Sequence, residues 1–244
     1  MKLIIKETLS EVSRVAASVF EGQISKRPSS VLGLATGSTP LETYRLLIKA
    51  HQYGGLDFSE VRSFNLDEYL GLRADHPQSY NYYMEENLFS AVNIKPEHRH
   101  LPLGICQDPE AECQRYQQLI DDAGGIDLQL LGIGVNAHIG FNEPGTPFGS
   151  LTHPVKLAAE TIRANARFFA SRREVPEAAI TMGLKTIMHA RSILLLAAGK
   201  NKAEAIKKAV EGPVTEEVPA SVLQLHPSCT LILDEGAASL LEDI

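Results

Sequence analysis

Apolar residues along the chain fall into short runs separated by longer stretches with helical spacing. The short runs predict strands at Leu3 to Ile5, Val31 to Ala35, Val61 to Leu66, Ile126 to Ile133, Ser192 to Ala197 and Thr230 to Leu233. Between them, Val12, Val15, Ala16, Val19 and Phe20 recur at helical spacing, and Pro40 to Ala50, Tyr80 to Ala91, Pro109 to Asp122 and Asn201 to Val210 do the same. Strands alternating with helices predict an α/β fold: an open, largely parallel sheet with helices on both faces, a Rossmann-like three-layer sandwich. No Ser/Pro-rich linker and no internal repeat interrupts the pattern, so the expectation is one domain over residues 1–244. The Gly/Pro/Thr-rich stretch Gly140 to Pro154 is too long for an ordinary connector, and loops of that length are often functional.

Composition narrows the classes. Hydrophobic residues make up 44% of the 244 positions and charged residues 22%, close to globular averages. Lys and Arg number 23 against 30 Asp and Glu, a net charge of −7. A nucleic-acid partner normally requires a basic excess or stripe, so none is expected. Cys106, Cys113 and Cys229 are too few and too widely spaced for a disulfide framework or a four-cysteine zinc site. The apolar run after Met1 is too short for a signal peptide, and no run is long enough to cross a membrane. The expectation is a soluble cytoplasmic protein with no membrane contact.

The polar residues matter most where strands end, because ligands of open α/β sheets bind outside the carboxyl ends of the strands. Thr36-Gly37-Ser38-Thr39-Pro40, Asp67-Glu68-Tyr69, Asn136-Ala137-His138 and Lys200-Asn201-Lys202 each follow a predicted strand. In a parallel sheet all of them lie on one edge.

Each cluster suggests a chemistry beside a plainer reading. The Thr36 to Pro40 loop has a glycine, three hydroxyls and a proline suited to a first helical turn, so it can present backbone N–H groups and a helix dipole to a phosphate. It lacks a Walker lysine, which favours a sugar phosphate over a nucleotide triphosphate. An ordinary strand-to-helix turn capped by Thr39 explains it equally well. Lys202 could add a cation to the same phosphate, although a lone lysine there is more often solvated. Asp67 would project from a strand end, where partial burial raises a carboxylate's pKa and suits it to act as a base. Alternatively it caps the next segment or pairs with Arg62 or Arg73; Glu68 and Tyr69 read as residues that orient the loop.

Gly132 to Gly145 is the richest stretch. Gly132-x-Gly134-x-x-Ala137 matches the dinucleotide fingerprint in form. The fingerprint must open a helix, however, and Gly140, Pro144, Gly145 and Pro147 make one implausible here. What remains is His138, two residues after Asn136 and five before Glu143. An imidazole ordinarily titrates near neutrality and can pass protons to and from a sugar ring oxygen, with Glu143 setting its orientation and charge. A lone loop histidine is usually just solvated, but this one lies within a strand-end cluster. His98-x-His100 with Cys106 lacks metal-ligand spacing, and Pro96 to Pro102 reads as a surface loop, so no metal is expected. Serine-hydrolase and zinc-hydrolase motifs are missing from the sequence.

Taken in order, Leu34-Ala35-Thr36-Gly37-Ser38-Thr39-Pro40, Phe64-Asn65-Leu66-Asp67-Glu68-Tyr69, Gly132-Ile133-Gly134 through His138-Ile139-Gly140-Phe141-Asn142-Glu143-Pro144, Asn165-Ala166-Arg167-Phe168-Phe169 and Leu223-Gln224-Leu225-His226-Pro227 resemble the successive motifs of the glucosamine-6-phosphate deaminases. The resemblance implies conversion of glucosamine 6-phosphate and water to fructose 6-phosphate and ammonia, without a metal or organic cofactor. It assigns ring opening to His138 with Glu143 and Asn136, proton removal at C2 to Asp67, and phosphate binding to Gly37, Ser38, Thr39, Arg167 and Lys202. It also implies a lid around residues 145–175.

The chain departs from the family pattern in two ways. Some members carry aspartate where this chain has Asn136, and an amide stabilises an imidazolium less, so a lower ring-opening pKa is expected. Ser150 to Lys156 offers only His153 and Lys156 as basic groups for an activator site, which implies a non-allosteric monomer or small homo-oligomer acting on a small sugar phosphate. A 6-phosphogluconolactonase would need no C2 base, so the Asp67 cluster disfavours that alternative. A silent sugar-phosphate sensor would tolerate loss of Asp67, His138 and Glu143, and all three are present.

Overall fold

The structure, a computed structural model, describes residues 1–157, 162, 169 and 174–242. Seven strands form one sheet in the order β1 (Lys2–Lys6), β10 (Cys229–Asp234), β9 (Ser192–Ala197), β6 (Leu128–Leu131), β2 (Val31–Leu34), β3 (Arg62–Asn65), β5 (Arg99–His100). Every neighbouring pair in it is parallel. The central strands are buried on both faces, which is why Leu128–Leu131 and Ser192–Ala197 are continuously apolar but for Gln129 and Ser192 rather than alternating. Helices flank the sheet in a three-layer α/β arrangement, as the alternation predicts.

Helix α1 (Leu9–Lys26) starts where the Thr8 side chain accepts from the Glu11 N–H, and it buries Val12, Ala16, Phe20 and Ile24 along one face. It packs against α2 (Leu41–Gly54), which ends at Gly55 in the left-handed conformation. The other described helices are α3 (Tyr80–Asn87), α4 (Pro109–Asp122), α5 (Leu184–Met188), α6 (Ala203–Val210) and α7 (Glu235–Ala238). Pro109 at its first turn and Asp108 as cap make α4 begin where the sequence places it.

The chain order places the ligand crevice. From β2 the chain moves outward through β3 to β5, then returns to β6 on the other side of β2 and continues through β9 to β10. The direction of winding therefore reverses between β2 and β6, and a crevice opens at their carboxyl ends.

Three features differ from the sequence expectation. A second, antiparallel sheet joins β4 (Asp67–Tyr69), β8 (Ala178–Thr181) and β7 (His153–Lys156). Its strands are three or four residues long, too short to establish a period, and Pro154 is tolerated because β7 lies at the edge. Pro96 to Pro102 holds a 3-10 turn (Pro96–His98) and strand β5 rather than only loop, and the His100 ring stacks on Phe64 at 4.6 Å. Strand β3 ends at Asn65, so Asp67 opens the second sheet instead of closing the first.

Candidate active site

At the switch between β2 and β6 lies a cavity of about 410 Å³. Its walls come from the strand-end clusters that the sequence singles out, and residues 35–40 form one side. Gly37 takes a φ of +97°, a conformation a side chain would strain, and its carbonyl accepts a hydrogen bond from the Tyr83 hydroxyl at 2.6 Å. Ser38 and Thr39 follow, and Pro40 occupies the cap position of α2 without any side-chain cap bond. Thr39 is therefore not a cap, and the positive end of α2 adjoins the cavity without one. Lys202 closes the 3-10 turn after β9 and donates from Nζ to the Ile133 carbonyl at 2.7 Å. Burial lowers its pKa from the ordinary lysine value.

Asp67 lines the same cavity and is only 7% exposed. Neither Arg62 nor Arg73 pairs with it, and Arg73 bonds Asp75 at 3.1 Å instead. Burial, with the Glu68 charge adding to it, pushes the Asp67 carboxyl up to about 8. A carboxylate in that state is a far stronger base than one in water.

His138 stands on the loop after β6, which contains no helix, in keeping with the rejected dinucleotide fingerprint. The backbone turns tightly: Ala137 N–H donates to the Gly134 carbonyl at 3.0 Å, Gly134 N–H donates to the His138 carbonyl at 2.9 Å, and Ala137 adopts a φ of +65°. The imidazole lies over Gly134, where a β-carbon would meet its Cε1 at 2.3 Å and both ring nitrogens at 2.5 Å. Nδ1 of His138 is 3.4 Å from Glu143 Oε2, and that same oxygen accepts from Asn136 Nδ2 at 2.6 Å. Asn136 thus orients the ring through Glu143 and through its own Oδ1, which accepts from the His138 backbone N–H at 3.3 Å. Beyond the ring, Asn142 is fully buried and donates to the Ile139 and Met182 carbonyls, both at 2.8 Å, which anchors the loop to the region of the second sheet.

Gly37, Ser38, Thr39, Asp67, Asn136, His138 and Lys202 all line this cavity, and Glu143 reaches it through His138. Arg167 lies outside the described residues, as does most of 158–173 within the expected lid. Sequence reasoning overlooked Tyr80, Phe141 and Val135, which also line the cavity. Tyr80 and Phe141 stack with ring centroids 6.2 Å apart beside Tyr69. Nothing in their spacing announces this, although a tyrosine-rich helix start at Tyr80-Asn81-Tyr82-Tyr83 is an unusual surface for an exposed helix. Among the described residues, no group of three or more His, Cys, Asp or Glu side chains gathers around a metal-sized space, and no helix is long and apolar enough to cross a membrane.

The family model described as glucosamine-6-phosphate isomerases/6-phosphogluconolactonase matches residues 5–232. A glucosamine-6-phosphate deaminase of Thermoanaerobacter pseudethanolicus is 56% identical over 243 residues, covering 100% of this chain and 96% of that protein. One from Halothermothrix orenii is 54% identical over 241 residues, covering 99% and 100%. A solved monomeric glucosamine-6-phosphate deaminase superposes with a TM-score of 0.96 at 50% identity, covering 98% of this chain and 100% of its own. A 6-phosphogluconolactonase from Trypanosoma cruzi, at 22% identity and a TM-score of 0.80, shares the fold.

Proposed function

Because the chain belongs to the glucosamine-6-phosphate isomerase/6-phosphogluconolactonase family, we infer that it is a glucosamine-6-phosphate deaminase. It converts glucosamine 6-phosphate and water to fructose 6-phosphate and ammonia, a step of amino-sugar catabolism. The observation that carries this reading is the shared cavity: Asp67, a buried carboxylate without an ion-pair partner among the described residues, faces the same space as the His138–Glu143 pair and the α2 amino terminus.

The substrate phosphate rests on the Gly37 to Thr39 loop, where backbone N–H groups and the helix dipole supply most of the attraction. Lys202 and Arg167 supply the cations. His138 then shuttles a proton from the O1 hydroxyl to the ring oxygen, which breaks the C1–O5 bond and leaves an aldehyde at C1. Nδ1 of the imidazole faces the Glu143 carboxylate at 3.4 Å, an ion pair once the ring takes up a proton, so the other nitrogen is the one that meets the sugar. The aldehyde acidifies the C2 hydrogen, and Asp67 removes it. The electron pair moves into a C1–C2 double bond while the carbonyl π pair shifts to O1, which takes a proton from the substrate's own C2 ammonium, giving an enolamine. Asp67 returns the proton to C1, and the nitrogen is left doubly bonded to C2. Water adds there and ammonia departs, leaving the ketone of fructose 6-phosphate. The substrate's own carbonyl is the electron sink, which makes a cofactor unnecessary.

Residues 1–244 act as one catalytic domain. The protein works in the cytoplasm as a monomer or small homo-oligomer, and the monomeric state of the solved relative supports the smaller form. The test is to incubate the protein with glucosamine 6-phosphate and measure ammonia and fructose 6-phosphate together. They are expected in equal amounts. Absence of ammonia overturns the reading, and hydrolysis of 6-phosphogluconolactone in its place would favour the lactonase branch of the family.

A further inference from the structure

Glu68 is a buried carboxylate that the reaction above does not use. It follows Asp67 on β4, so the two side chains leave the strand in opposite directions, Asp67 into the cavity and Glu68 away from it. Glu68 is 3% exposed. Its Oε1 accepts from the backbone N–H groups of Tyr69 and Tyr80, both at 2.9 Å, and its Oε2 accepts from the N–H of Asn81 at 2.9 Å. Tyr80 and Asn81 are the first two residues of α3, where the N–H groups have no partner within the helix. Ser79 Oγ accepts from Tyr82 N–H at 3.0 Å and completes the cap. Behind β4, a β-carbon on Gly104 would lie 2.6 Å from the Tyr69 carbonyl and 3.5 Å from Glu68 Cγ, so the segment is closely packed there.

Helix α3 carries this attachment across the cavity. Tyr80 lines the cavity together with Thr36 and donates to the Tyr69 hydroxyl at 3.2 Å. One turn later the Tyr83 hydroxyl donates to the Gly37 carbonyl. A single carboxylate therefore connects the strand of the C2 base to the helix that touches the phosphate loop. Catalysis at C2 depends on the distance between those two parts, because the phosphate fixes where C2 lies.

We propose that Glu68 is a positioning residue for proton transfer at C2: gripped by three backbone N–H groups, it locks the Asp67 strand to α3 and the phosphate loop, and it supplies the negative charge that Asp67 faces. The inference rests on the deaminase reading. The other groups around Asp67 are the Tyr80 phenol from α3 and the Tyr116 phenol from α4, both kept neutral by burial, with His138 and Lys202 lining the same cavity. Burial raises the Glu68 carboxyl from its ordinary value while the N–H groups of Tyr80, Asn81 and Tyr69 pull it back down by favouring the charged form, so among the described residues Glu68 in its ionised form is the negative neighbour. Neutralising it favours the ionised form of Asp67, so proton abstraction sets in at lower pH.

The experiment measures kcat/KM against pH and solvent hydrogen exchange at C2 for wild type, Glu68→Gln and Glu68→Asp. Titration of the substrate cancels between them. Glu68→Gln should lower the plateau about tenfold or more and move the ascending limb toward acid by about half a pH unit or more. Glu68→Asp keeps the charge, so its limb should stay with wild type while its plateau falls. A Glu68→Gln limb that coincides with wild type, in an enzyme whose wild type releases ammonia, overturns the inference and leaves the deaminase reading standing. Carbon-13 NMR titration of the Asp67 carboxyl reads the same displacement without substrate, so the inference is tested even if no ammonia forms. Tyr83→Phe, on a partly exposed face, covers a Glu68→Gln protein that fails to fold: it should raise KM with kcat nearly kept, and an unchanged KM contradicts the mechanical link.

Discussion

At the scale of residues, the cavity holds a base in a state that costs stability. The Asp67 carboxyl rises from its ordinary 3.8 to about 8 on folding. Between those two values the folded protein keeps a proton that the unfolded chain has released, so stability falls as pH rises through that window and levels off above it. Asp67→Asn removes the penalty. Urea unfolding should show the variant more stable than wild type by roughly 2–4 kcal/mol at pH 8, with the gap closing toward pH 4. The same variant should bind glucosamine 6-phosphate yet fail to exchange its C2 hydrogen with solvent, and exchange at the normal rate would remove Asp67 from its role. A destabilised site that gains stability when disarmed is the usual trade between function and folding. Asn136 shows a second residue-scale effect. Its amide donates to the Glu143 oxygen that also faces His138, so it steadies the carboxylate rather than touching the ring.

The loop after β6 works as an element because its geometry depends on what is missing. Gly134 has no side chain, and the imidazole of His138 fills the space a β-carbon would take. Gly134→Ala should displace the ring by about 1 Å or more and reduce kcat/KM roughly 100-fold. The far-ultraviolet circular dichroism should remain that of wild type, because the loop contributes no helix or long strand. Undiminished activity would show that the ring does not need that seat. The loop's motif was legible in the sequence as glycines spaced around a histidine and a carboxylate. Its shape was not, since the anchors are distant: Ala220 N–H donates to the Ala137 carbonyl at 3.0 Å, and Gly145 N–H donates to the Glu216 carbonyl at 2.9 Å. The same holds for Asp67, whose strand pairs with Ala179, Ile180 and Thr181 more than a hundred positions away in the chain.

On the scale of the whole molecule, the site stands at one end of a parallel sheet whose other end is tied by a single buried acid. Asp127 is 3% exposed; Oδ2 accepts from the Val31 N–H at 2.8 Å, and Oδ1 meets Arg27 at 2.5 Å and Arg191 at 2.8 Å. It thereby joins the entries to β2, β6 and β9. Asp127→Ala leaves those donors without their acceptor and should cost about 3 kcal/mol, lowering Tm by roughly 6–12 °C. A loss below about 1 kcal/mol would show that solvent replaces the clamp. The sequence by itself determined the alternation of strands and helices, the chemistry at the strand ends and the family resemblance, because burial period, turn residues and motif spacing are local. Only the tertiary structure decided that winding reverses between β2 and β6, that a second sheet carries Asp67, that Tyr80 lines the cavity, and that Glu68 and Tyr83 reach the α3 start and the Gly37 carbonyl. Those facts depend on contacts between segments far apart in the chain, which leave no periodic mark within any one of them.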